Sequence, residues 1–146
     1  MKQLIDSSEL DFKIVQTIEL NLKLININTI KEIESRTLVY ELDEPLGPRS
    51  KYGLLGIKFV PKDIDKLIVR IRINDMGPII HRTLLDTTRL GIHSEYSETI
   101  IQTLLSKAKD WYLGPGILTF HRGAWGEIYS SNQVFKELTT ALLQDL

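Results

Sequence analysis

Apolar and polar residues alternate along most of this chain in a way that predicts strands, with two helices late in the sequence. From Lys66 to Asn74, Leu67, Val69, Ile71 and Ile73 alternate with Ile68, Arg70 and Arg72. That period of two places one set of side chains on each face of a strand. The same period recurs over Glu34 to Glu44, with Leu38, Tyr40 and Leu42 on one face and Val39 and Glu41 on the other. It returns at Leu55, Ile57 and Phe59, in a strand that Pro61 ends. Between those two strands, Pro45 to Gly53 carries Pro45, Gly47, Pro48 and Gly53 and predicts a loop.

The N-terminal segment follows the same logic. Leu10, Phe12 and Ile14, then Ile18, Leu20, Leu22 and Leu24, alternate with polar residues and predict extended chain from about Leu10 to Asn28, bent near Gln16 and Thr17. Ser8 followed by Asp11 leaves a short capped helix as the alternative. Ile25 to Thr29 reads as a polar edge or turn, Asp75 to Pro78 as a turn, and Ile79 to Leu85 as either a short strand or an irregular crossing.

Helical spacing begins later. Ser94 reads as an N-cap with Glu95 and Glu98 in the first turn, where the helix dipole favours carboxylates. Tyr96, Ile100, Ile101, Leu104, Leu105, Ala108 and Trp111 form one apolar stripe, which Gly114-Pro115-Gly116 stops. Leu118 and Phe120 point inward on a further strand that leads to a glycine-flanked tip with Arg122 and Trp125. Ser130 or Ser131 then caps a last helix whose buried face is Val134, Leu138, Ala141 and Leu142. The expected fold class is α+β, a mainly antiparallel sheet with two helices packed on one face. Residues 34–146 form the domain and residues 1–33 an N-terminal extension that adds a strand or strands.

Composition narrows the chemistry. The chain has 146 residues, 42% hydrophobic and 25% charged, which is an ordinary globular balance for one domain. It has no cysteine, which removes disulfides, thiolate metal sites and a cysteine nucleophile. No apolar run approaches bilayer length and no leader is visible, so the expected location is cytoplasmic, with no membrane partner. The net charge of -1 gives no overall field for nucleic acid, so any such contact would have to come from a local patch. Phosphate-loop, dinucleotide, zinc-protease and serine-hydrolase motifs are all missing. The expectation is therefore no enzyme, no nucleotide and no cofactor. His81, His93 and His121 fall on separate elements without ligand spacing, which predicts no metal site.

Three groups of residues remain as candidates. His121 and Glu127 flank the tip and would make an acid-base pair if they met, which is the least favoured of the three. Arg70 and Arg72, with Lys58 beside them, form a secondary basic face that reads first as a solvated sheet surface. Arg49, Lys51 and Tyr52 in the first loop, with Arg122 and Trp125 in the tip, suit a phosphate backbone and a stacked base if the two loops lie at one end of the sheet. The competing reading has Tyr52 and Trp125 capping the core.

The run Gly-Pro-Arg-Ser-Lys-Tyr-Gly-Leu-Leu-Gly-Ile-Lys-Phe-Val-Pro from Gly47 to Pro61, Glu95-Tyr96 at the helix start, and Thr119 to Lys136 come in one order. Over residues 34–143 this order resembles the fourth domain of elongation factor G and of the ribosomal-protection GTPases. The resemblance implies a ribosomal-protein-S5 domain-2-like fold, with tip loops Gly47 to Gly53 and Arg122 to Gly126. In that family these loops contact messenger and transfer RNA in the decoding region. Gly126 stands where the family commonly has a histidine, and the GTPase portion is absent from this sequence. The resemblance implies a non-catalytic module that binds the ribosome or RNA through the two-loop tip. The alternative is a protein-protein module of the immunity or adaptor type, which suits the near-neutral charge.

Overall fold

The computed structural model describes residues 1–24, 34–111 and 113–146. The expected turn at Ile25 to Thr29 lies outside them. Eight strands and two α-helices are present among these residues: β1 (Lys2–Leu4), β2 (Gln16–Lys23), β3 (Arg36–Glu44), β4 (Lys51–Pro61), β5 (Lys66–Ile73), β6 (Ile79–Arg82), β7 (Thr87–Leu90), α1 (Ser97–Ala108), β8 (Gly116–Gly126) and α2 (Asn132–Asp145). The fold class is α+β.

The sheet runs β1-β3-β4-β8-β5-β2, and β7 joins β8 beyond the end of β5 and carries β6. Every pair is antiparallel except β5 with β8. The N-terminal residues thus supply one strand beside β3 and another beside β5.

The alternating residues of the central strands face the helices. Leu55, Ile57, Phe59, Leu67, Val69, Ile71, Leu118 and Phe120 are completely buried with Ile100 and Leu104 of α1 and Phe135, Leu138 and Leu142 of α2. At about 25 cal/mol per Å² of apolar area, this layer dominates the stability. Tyr96 stacks on Phe135 with ring centres 4.4 Å apart, and Trp111 meets Phe59 edge-on at 5.5 Å. These aromatic pairs tie both helices into the core.

The opposite face is also covered. Val39, Leu54, Leu90 and Ala124 form a second buried cluster, packed under Leu4, Leu10, Phe12 and Tyr52. Val39 lies on the face of its strand opposite Leu38, Tyr40 and Leu42, as expected, and the N-terminal segment covers that face and leaves Val39 only 1% exposed.

Other local expectations change for physical reasons. Neither reading of the segment holds from Ser8: Ser8–Leu10 is a single 3-10 turn without a side-chain cap, and the strand expected from about Leu10 starts only at Gln16. The Pro45 to Gly53 loop is shorter than expected: a 3-10 turn, Gly47–Arg49, leads straight into β4 at Lys51. Ser50 Oγ closes this turn, donating to Gly47 O at 2.7 Å and accepting from Leu46 N at 2.9 Å.

Ile79 to Leu85 is a strand followed by a turn, and Thr87–Leu90 completes a hairpin that periodicity did not show. Ser94 does not cap α1. Its backbone N and its Oγ both donate to Asp75, and a 3-10 turn, Ser94–Tyr96, precedes the helix, with His93 Nδ1 accepting from Glu95 N at 3.1 Å. On α1, Leu105 is 42% exposed and Thr103 takes a buried place instead. Ser131 caps α2, its Oγ accepting from Val134 N at 3.3 Å.

Candidate functional site

The stretch expected to be a tip is strand. β8 continues to Gly126, with a register shift against β4 that leaves His121 unpaired between Phe120 and Arg122, so Arg122 and Trp125 are strand residues with opposite orientations. Arg122 lies on the face covered by the N-terminal segment. Its Nε donates to Asp6 Oδ1 at 2.6 Å, and Nη1 donates to Asp11. His121 Nε2 is 2.9 Å from the other Asp6 oxygen. The cation expected to meet phosphate is therefore matched by two carboxylates of its own chain.

Trp125 belongs to the helix-side core. It is 9% exposed, and the His93 ring meets it edge-on at 4.6 Å. No face of this indole is open for a base to stack on, so the core-cap reading describes it and the stacking reading does not. The least favoured candidate, an acid-base pair of His121 and Glu127, does not form, because Glu127 pairs with Arg89 at 3.2 Å while His121 pairs with Asp6.

The basic face keeps its geometry, and one of its charges, on Arg70, is paired. Lys58 and Arg70 both stand opposite Thr119 on the outer side of the sheet. Arg70 pairs with Glu19 at 2.8 Å, and Arg72 donates to Thr17 Oγ1 at 3.0 Å. β2 supplies both partners, which lay outside the span that the family resemblance covers.

The first loop does lie beside the C-terminal end of β8. Leu54 pairs with Ala124, Tyr52 N donates to Tyr129 O at 3.0 Å, and Ser130 Oγ donates to Tyr52 O at 2.6 Å. Asp86 from the β6–β7 turn accepts from the backbone N of Thr87, Ile128 and Tyr129, tying that turn to the segment after β8.

A cleft of about 540 Å³ opens where they meet. Glu41 and Asp43 of β3 and Tyr52 of β4 form one wall, and Ile80, His81, Leu85, Asp86 and Thr88 of the β6–β7 hairpin form the other. β3 and β6 lie far apart in strand order, so the sheet curls to bring them to one cleft.

The electrostatics of this cleft are negative. Tyr52 Oη donates to Glu41 Oε2 at 3.1 Å; burial first, and then the Glu41 charge, push the phenol well above its ordinary pKa and keep it neutral. Lys51, a lining cation, is 3.5 Å from Glu137 of α2. Arg49 is exposed on the turn and has no ion-pair partner among the described residues. The same end carries exposed Leu46, Ile79, Ile80, Leu84, Leu85 and Ile128, half of the twelve large exposed apolar side chains among the described residues. Apolar exposure is thus concentrated at one end of the molecule. Alternation alone did not locate it, although Leu84-Leu85 between Thr83 and Asp86 was a readable sign of a turn with apolar residues at its crest.

No group of three or more His, Cys, Asp or Glu side chains among the described residues is placed to hold a metal ion, and none of their helices is long and apolar enough to cross a membrane. No protein-family model matches this chain, and no curated protein sequence matches it.

Proposed function

We propose that this chain is a non-catalytic binding module that receives a protein partner at the end formed by residues 45–53 and 79–88. The supporting observation is the cluster of exposed Leu46, Ile80, Leu84, Leu85 and Ile128 around an acid-lined cleft. A contiguous exposed apolar patch with a polar rim marks an interaction surface. Carboxylates among those side chains repel a phosphate backbone and suit a protein. The test is a pulldown from lysate with and without nuclease. A captured partner that is insensitive to nuclease and lost with Leu84→Asp/Leu85→Asp supports this reading, whereas loss on nuclease treatment argues against it.

Ribosome or RNA association, with the S5 domain-2-like fold behind it, is the second reading. It is favoured by the run of several strands (β3 to β7), helix, strand and helix over residues 34–143 and by exposed Arg49 on the loop that the resemblance singles out. Arg122 and Trp125 no longer carry it, since one is paired and the other buried. With Lys51 paired to Glu137, one unpaired cation of the original set is left, Arg49, and the log-log salt slope on single-stranded RNA would be about -0.7. Co-sedimentation with ribosomes at low salt that Arg49→Glu abolishes would favour this reading; no co-sedimentation of the folded protein would remove it.

A further inference from the structure

The face of the sheet away from the helices is one surface with two halves. Val39, Leu54, Leu90 and Ala124 form the floor of the first half, and the protein's own N-terminal segment fills it with Leu4, Leu10 and Phe12. Glu41, Asp43, Tyr52 and Thr88 continue the same strands on the same face, each an even number of residues from a floor residue, and they line the open cleft. Tyr52 belongs to both halves, packing on the covered cluster and lining the open part. The filled half therefore shows what this surface accepts: a narrow, largely extended segment with apolar side chains set onto the floor and charged groups paired at the rim.

Charge separates the two halves. In the filled half Arg122 and His121 point at Asp6 and Asp11, so a cationic surface meets an acidic segment. In the open half the lining carboxylates are Glu41, Asp43 and Asp86. Of the lining cations, Lys51 is held by Glu137 and His81 is the remaining titratable base. An acidic segment is repelled there and a basic one attracted. Ile80 at 46% and Leu85 at 65% exposure supply the apolar wall for an anchor side chain.

We infer that the open half of this groove takes an extended segment of a partner protein that carries Lys or Arg together with an aliphatic or aromatic anchor, laid along the β3 wall between Asp43 and the β6–β7 hairpin. The proposal rests on the protein-binding reading of this end and adds the chemistry of what enters. The basic side chains meet Glu41 and Asp43, and the anchor packs against Tyr52, Ile80 and Leu85. Extended recognition of this kind draws affinity from main-chain contacts and specificity from alternate side chains.

The test is selection of random dodecapeptides displayed on phage against the immobilised full chain, followed by fluorescence anisotropy with the best synthetic peptide. Enrichment of net-positive sequences with at least one Leu, Ile, Val, Phe, Tyr or Trp is expected. Binding should weaken about tenfold in Asp43→Lys and should fall with rising salt. Leu85→Asp should weaken it comparably, with unchanged circular dichroism melts showing that both variants fold. Enrichment of acidic or purely polar sequences, no enrichment at all, or binding indifferent to Asp43→Lys would overturn the inference. The two levels are separable. If a cellular protein is captured and lost with Leu84→Asp/Leu85→Asp while basic peptides fail, the binding end stands and the segment chemistry falls. If capture ignores both variants, the binding end itself is wrong.

Discussion

The Asp6 carboxylate lies 2.6 Å from Nε of Arg122, 116 positions away in sequence, and so fastens the N-terminal segment to the back of β8. Asp11 takes a second nitrogen of the same guanidinium, and His121 a second oxygen of the same carboxylate. A residue whose sequence context suggested a phosphate ligand is thereby the anchor of a structural clamp.

This clamp makes stability depend on acid pH. Partial burial raises the Asp6 carboxyl, but hydrogen bonds from Arg122 and His121, helped by their charges, outweigh it and hold the group below the ordinary aspartate value. A carboxyl depressed in the folded state contributes stability that is complete above its unfolded pKa of about 3.9 and is lost as pH falls through the folded value. Because the pair is partly solvated, Asp6→Asn should cost up to about 1 kcal/mol at neutral pH. Melts across pH should show the wild-type advantage closing once pH drops below about 3.9. An advantage that persists in strong acid would refute the clamp.

Trp125 should behave as a core residue. In a Trp111→Phe background its emission should be blue-shifted, protected from acrylamide and unmoved by single-stranded RNA, because the indole is 9% exposed against His93. Trp125→Ala should cost about 3 kcal/mol, the usual scale for emptying a large aromatic site. Emission at the wavelength of free indole would contradict this placement.

Asp86 should stabilise the cleft end through its three backbone donors. Asp86→Ala removes charge-assisted hydrogen bonds and is expected to cost about 2 kcal/mol. Hydrogen exchange should then speed up at the Ile128 and Tyr129 amides, while those in β5 stay protected as long as the fold persists.

Two glycines should respond in different ways to alanine. A Cβ at Gly77 would sit 1.7 Å from the Leu90 carbonyl oxygen, a backbone atom that cannot step aside. Gly77→Ala should therefore cost about 3 kcal/mol or more. At Gly47, φ is +62° with open space around the Cβ position. Only the left-handed backbone then opposes a side chain, and Gly47→Ala should cost about 1 kcal/mol. Denaturant melts of the two variants, compared side by side, check this ordering.

Local periodicity was enough to show the α+β class and most of the helix-side core. Leu67, Val69, Ile71 and Ile73 are buried because alternation on a pleated strand sends every second residue to one face, whatever the partner strand. Ser131 at a helix start is equally local, being a property of a few consecutive residues, whereas α1 ends at Ala108, ahead of Gly114, whose φ of +79° belongs to the turn before β8. The loop at Gly47 was legible for the same reason, though its 3-10 turn and early strand start were not.

Tertiary structure alone decided which candidate groups remain free. Arg122 is clamped by Asp6 and Asp11, and Arg70 is paired with Glu19, by residues more than fifty positions away. Trp125 lies inside because β8 continues past the expected tip and a register shift after Phe120 reverses its alternation, which no pattern in Gly123 to Gly126 announced. The cleft likewise joins Asp43 to Leu85 only because the sheet curls until β3 faces the β6–β7 hairpin. A sequence shows which residues carry charge and aromatic surface. Whether that charge is neutralised and that surface buried depends on non-local strand pairing, and here it moved the candidate site from Arg122 and Trp125 to the acid-lined, apolar-rimmed cleft beside Tyr52.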